Sequence, residues 1–193
     1  MIMLGFFCIT ILPLANFRDA SILQPTQTTT QKKEIESLLE SLHNDSLRRT
    51  SPQEIVKAIK RLGEIRAAKS VNDLISFLTF KQIFDWEDKT GEAVNEIQPI
   101  HTGNRYPATS ALGNIGKPAL SALLNVVQTQ ASQTLISENA IFAISVIYRN
   151  NPLDGIDYLT QAANKASSKQ VKQRLTNAIA RLQNPVAKQN RKH

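Results

Sequence analysis

The sequence predicts an all-α protein, a right-handed α-solenoid of about three to four helical hairpins with one insertion. Three observations lead there. Apolar residues recur at spacings of three and four along most of the chain past residue 32. Aromatics make up only 6% of the 193 residues, so Ala, Leu and Ile carry the apolar load, which favours helices over a β-sandwich. The phrase Leu-Gly-x-Ile occurs twice, at Leu62–Ile65 and Leu112–Ile115, each time followed by a second apolar run.

The elements follow in chain order. Residues 1–20 form a signal-peptide-like segment, with an apolar run of about 15 residues. That run is short of the roughly 20 a membrane-spanning helix needs. It lacks a basic residue at its start, and Ala15 and Ala20 both offer a cleavage point. Phe7 precedes Cys8, where a lipidated leader has a small residue. The expectation is export to a periplasmic or extracellular space, leaving a mature chain with no membrane span and no thiol. Residues 21–31 are polar and rich in Thr and Gln, a linker. A helical-repeat domain spans 32–185, with an insertion at 81–107, and 186–193 is a basic tail.

Within that domain Ile35, Leu38, Leu39 and Leu42 share one helix face. Ser51, Pro52 and Glu54 read as a capping box with proline at the first helical position, ahead of Ile55, Ile59, Leu62 and Ile65. The partner helix starts at Ser70 and presents Val71, Leu74, Ile75 and Leu78. A second pair places Ala111, Leu112 and Ile115 inward, stops at Gly116, and reopens at Pro118 with Leu120, Leu123, Leu124 and Val127. A third carries Ile141, Ile144, Ile147 and Tyr148, then an Asn151 cap, Pro152, and Leu153, Ile156 and Leu159. A last helix aligns Val171, Leu175, Ala178, Ile179 and Leu182.

Leu62 to Leu112 is a step of 50 residues and Leu112 to Ile144 a step of 32, so the longer step holds an insertion of roughly 18. One hairpin cannot bury its own apolar face, and stacking hairpins gives each face a neighbour. Gly63 and Gly113 have no side chain and admit a closely packed helix. The phrase at 112–124, with Leu112, Gly113, Ile115, Gly116, Pro118, Ala119, Leu123 and Leu124, resembles the short HEAT repeats of the phycobilisome-lyase type. Residues 62–75 match less well, with Arg66 at the second glycine and one extra residue in the turn. The resemblance implies a scaffold fold and is nearly silent on chemistry.

The insertion holds the only Trp, Trp86, beside Asp85, Glu87, Asp88, Glu92 and Glu96. Long insertions on one side of a solenoid are often binding loops, and Trp86 and Tyr106 are natural anchors. The plainer reading is a lid in which Phe84, Trp86 and Ile100 cover helix ends. The carboxylates lack the alternation of a twelve-residue calcium loop. His43, His101 and His193 stand apart, and no His-Glu dipeptide occurs of the kind that HEAT-type hydroxylases use for iron. No phosphate loop, nucleophile elbow or cysteine cluster is present. The expectation is therefore a non-enzyme with no cofactor and no metal.

Charge is uneven. Residues 1–100 hold 12 Lys/Arg against 13 Asp/Glu, and residues 101–193 hold 11 against 3, a balance of −1 and then +8. The expected role is an exported interaction module that binds a protein partner through the insertion or a concave face. Arg149, Lys165, Lys169, Lys172, Arg174 and Arg181 suggest nucleic acid as an alternative, which export disfavours. A bilin-lyase-like, chromophore-handling role follows from the resemblance alone. The candidate interaction residues are Trp86, Tyr106, Asp85, Glu87, Arg149, Lys172 and Arg174.

Overall fold

The computed structural model describes residues 28–83, 102–129 and 134–183, and these are helical with no strand among them. The ten α-helices among the described residues are α1 (Thr29–His43), α2 (Asp45–Thr50), α3 (Pro52–Glu64), α4 (Val71–Ser76), α5 (Thr102–Arg105), α6 (Pro107–Ile115), α7 (Leu120–Thr129), α8 (Leu135–Ile147), α9 (Pro152–Lys165) and α10 (Lys169–Gln183). Single 3₁₀ turns at Ala68–Ser70 and Lys117–Ala119 lead into α4 and α7.

Proline opens three of these helices. Pro52, Pro107 and Pro152 sit in the first turn, where the missing N–H costs nothing. Ser51, Tyr106 and Asn151 precede them with φ of −144°, −124° and −144°, outside the helical basin that proline denies to its predecessor. The reciprocal bonds expected of a capping box do not form at Ser51. Its side chain makes no cap bond, and Glu54 Oε1 instead takes Lys57 Nζ at 2.7 Å. The first helix begins at Thr29, three residues before the apolar spacing starts, because the Thr28 hydroxyl accepts the Gln31 N–H at 3.3 Å. Asn44 ends it with extended backbone, and its side chain accepts the Leu47 N–H at 2.9 Å to start α2.

The two Leu-Gly-x-Ile phrases occupy the same place in the chain's helical order. Each ends a helix, each is followed by a residue with positive φ, and each leads through a 3₁₀ turn into the next helix. In the second copy that residue is Gly116, at φ 84° and ψ −143°. In the first it is Arg66, at φ 50°, the one positive-φ non-glycine among the described residues. A side chain is tolerated near 50° at some strain and almost never in the region Gly116 occupies.

Packing follows the apolar faces. α1 and α2 lie on α3, α3 lies on α6, and α6 lies on α8. Alongside, α4 packs on α6 and α7, and α7 on α8. α9 makes its main contact with α10, which also touches α7. A methyl group placed at Gly63 would sit 2.6 Å from Ala111 Cα, and one at Gly113 would sit 2.7 Å from Val146 Cβ. A single apolar core runs through these contacts, from Ile35 and Leu42 in α1 to Leu175 and Ala178 in α10. One buried polar tie crosses it: Asn139 of α8, 2% exposed, donates through Nδ2 to the Leu78 carbonyl at 2.6 Å. That bond satisfies a carbonyl left over beyond the end of α4.

The third pair departs from expectation at Leu153, which is 73% exposed rather than inward. α9 turns Gly155, Leu159, Ala162 and Ala163 to the core. Gly155 is the reason, since a methyl there would lie 2.8 Å from Tyr148 Cβ and 3.0 Å from Leu182 Cδ1. Two residues along a helix is a rotation of about 200°, so the face that buries Gly155 turns Leu153 to water. The other inward assignments in α3, α6, α7 and α8 fall on buried or half-buried positions.

Two outcomes follow in denaturant titrations. Gly63→Ala lowers stability by about 1–2 kcal/mol, because the clash with the Ala111 backbone exceeds the roughly 1 kcal/mol of helix propensity gained. The paired turns respond with opposite sign: Arg66→Gly is neutral or stabilising by up to about 1 kcal/mol, whereas Gly116→Ala costs about 1–3 kcal/mol.

Candidate functional site

Two places gather the residues that could contact a partner. The first is the base of the insertion. The Gln82 N–H donates to the Arg105 carbonyl at 2.8 Å, so the two ends of this segment are tied together beside the core. Gln53 Nε2 in α3 holds the Ile83 carbonyl at 2.8 Å on one side of the tie. On the other side α5 leads into Tyr106, which precedes α6 and is half-buried. The Tyr106 N–H bonds Thr102 O at 2.8 Å, and its carbonyl accepts from the Thr109 hydroxyl at 2.6 Å. Tyr106 is thus built into the helix start. Asp85, Trp86 and Glu87 lie outside the described residues.

The second place is a cleft of about 390 Å³ between α8, the start of α9 and the last turns of α10. Phe142, Ser145 and Val146 of α8 form one wall. Leu159 of α9 and Ala178 and Leu182 of α10 face them. Arg149, in the turn after α8, and Arg181, near the end of α10, bring two guanidinium groups to it. The Ser145 hydroxyl is spent on the Phe142 carbonyl at 2.6 Å. The volume lies in the range of small-molecule pockets, and the walls are predominantly apolar.

Tyr148 forms the inner edge of this cleft and packs against Tyr158 with ring centroids 5.9 Å apart. The Tyr158 hydroxyl donates to the Leu120 carbonyl at 3.3 Å, joining α9 to the start of α7. Burial pushes both phenols above the ordinary value of 10.0; for Tyr148, the neighbouring Tyr158 and Asp154 add to the effect.

The basic residues read from the sequence divide. Arg149, Lys165, Lys169 and Lys172 are exposed and Arg181 is half-buried. Arg174 is 6% exposed, which corrects its assignment to a solvent-facing interaction surface. It lies beside Leu175 and one turn from Val171 and Ala178, so the face of α10 that seats those residues takes Arg174 inside as well. Arg149 and Lys172 keep their surface positions, and Arg149 alone of the two borders the cleft. Phe142 and Val146 were not foreseen as site residues. The available signal was α8 itself, which carries apolar side chains on a second face beyond Ile141, Ile144 and Ile147.

Among the described residues no helix is long and apolar enough to cross a membrane, and no group of three or more His, Cys, Asp and Glu could hold a metal ion. His43 Nε2 instead makes a single contact to Asp73 Oδ1 at 2.8 Å. No protein-family model, curated protein or solved structure matches this chain.

The tyrosine pair carries a pH signature. Each phenol's folded-state pKa is raised, so its contribution to stability is complete below about pH 10 and is lost as pH rises through the raised value. Thermal melts from about pH 8 to pH 12 should show Tyr158→Phe costing about 0.5–1.5 kcal/mol at neutral pH, from the lost bond to Leu120. The same variant should lose stability less steeply than wild type in the alkaline limb, since one titrating phenol is gone.

Proposed function

We infer that this chain is a non-enzymatic helical-repeat module that holds another protein, with its hairpins arranged as an α-solenoid of the short HEAT type. The observation that carries the reading is the closed base of the insertion, where Gln82 and Arg105 are bonded across the gap. With both ends fixed to the packed core, a partner that bound the insertion would engage a contact already anchored to the fold, the loop-closure part of the cost being met on folding. The succession α3, α6, α8, joined at Gly63 and Gly113, supports the solenoid arrangement, as do the two matching turns at Arg66 and Gly116. The signal-peptide-like residues 1–20 place the module outside the cytoplasm in this reading, with Trp86 and its acidic neighbours as the contact.

The nucleic-acid alternative loses Arg174 from its cation set and keeps Arg149, Lys165, Lys169 and Lys172 on the surface. A mobility-shift assay at two salt concentrations tests it, and binding that falls steeply with salt would favour it over the protein-holding role. The bilin-handling alternative rests on the resemblance alone.

The deciding experiment compares partner capture by the full chain and by Trp86→Ala. The expected result is a partner retained by wild type and lost by the variant, with a melting temperature within about 3 °C of wild type. A larger thermal loss would make Trp86 a core residue and remove the insertion as the contact.

A further inference from the structure

The cleft between α8, α9 and α10 has two properties that belong together. Its walls are apolar, with Phe142 and Val146 on one side and Leu159, Ala178 and Leu182 on the other. Its polar lining is dominated by Arg149 and Arg181, and neither has an ion-pair partner among the described residues. In the N-terminal part several cations are matched: Arg48 by Asp45, Lys57 by Glu54, Arg61 by Glu34 and Glu64, and Lys69 by Glu36. The carboxylates closest in sequence to the cleft, Asp154 and Asp157, are exposed and neither lines it; Asp154 is held by Asn151 Nδ2 at 2.8 Å. The acids of α8 and α9 are Glu138, Asp154 and Asp157, and α10 has none. A greasy slot bordered by two unmatched guanidinium groups is complementary to a molecule with a hydrocarbon tail and an anionic head.

We propose that this cleft is a binding site for a single-chain amphiphile of that kind, of the medium-chain carboxylate class. The tail lies between the α8 wall and the α10 wall, and Arg149 and Arg181 take the head at the mouth. A volume of 390 Å³ matches about a dozen non-hydrogen atoms at roughly 30 Å³ each, the space a water-sized group takes in a liquid. This site is separate from the insertion and does not depend on the protein-holding role.

The test uses the full chain with methyl-labelled Ile, Leu and Val, titrated with dodecanoate below its micelle concentration and followed by NMR. The expected result is saturable shifts confined to the methyls of Ile141, Val146, Leu159 and Leu182. Dodecanol, which has the same tail and no charge, should bind at least about fivefold more weakly, and dodecyltrimethylammonium should not bind. Arg149→Gln and Arg181→Gln should each weaken dodecanoate roughly five- to tenfold without moving the melting temperature, since both heads are partly exposed and screened. Lys172→Gln, which removes an exposed cation away from the cleft, should leave the affinity unchanged.

Equal affinity for dodecanoate and dodecanol, indifference to both arginine changes, or shifts spread over the surface would overturn the proposal. So would sedimentation with phosphatidylglycerol vesicles in the absence of saturable binding to monomeric dodecanoate, which would make the arginines part of a lipid-facing surface. A chain ended after Gln183 is the last control: if the same methyl resonances move without ligand, the protein's own C-terminal residues fill the cleft and the amphiphile site is lost.

Discussion

Three helices, α3, α6 and α8, lie against one another through glycines where any side chain would intrude, and much of the remaining packing is arranged around that succession. Gly63 meets the backbone of Ala111, and Gly113 meets the β-branched side chain of Val146. Helix axes that approach this closely bring the flanking residues into dense contact, so Leu62, Leu112 and Ile144 are each fully buried. Dispersion forces fall off steeply with distance, so an ångström of separation at the glycines would loosen every contact along the same seam. The glycines therefore act by what they omit, and the leucines and isoleucines beside them supply the buried area.

The seam also explains why the turns matter. A helix that ends in a fixed conformation directs its partner onto a defined side, and here two turns do so at matching places in the sequence. Gly116 turns at φ 84° and ψ −143°, while Arg66 turns at φ 50° with one more residue before the next helical turn begins. Asn139 then locks the arrangement from across the core, reaching from α8 to the Leu78 carbonyl. A buried amide whose one strong bond joins elements 61 residues apart in sequence makes local fraying of either helix costly, because opening it strands a polar group in an apolar setting.

The electrostatic division of the chain has a structural counterpart. In the N-terminal part cations and carboxylates meet on exposed helix faces: Arg61 lies between Glu34 and Glu64, and the hydrogen bond to Glu34 is the main cause of its raised pKa. Pairs so exposed add little stability and serve mainly to keep that surface neutral. In the C-terminal part acids are few, with Glu138, Asp154 and Asp157 the only ones past residue 100; Arg174 is buried there, and Arg149 and Arg181 border an apolar cleft. The same excess of charge thus has unlike consequences at positions only a few residues apart.

Much of this was determined by the sequence alone, because helices announce themselves through local chemistry. The spacing of three and four, proline at 52 and 152, and the stop at Gly116 are properties of one segment and its backbone. The glycines at 63 and 113 were legible as points of close approach for the same reason, since an absent side chain has one main packing use inside a helix. What only the tertiary structure decided was which arc of each late helix is covered. Leu153 and Arg174 are the clearest cases: periodicity placed one inside and left the other outside, and both assignments were reversed. The neighbour rather than the helix sets that rotation, through the seat of Gly155 against Tyr148 and Leu182. The cleft was equally invisible beforehand, because it is the gap left where three successive helices fail to close on one another, and no single segment contains that information.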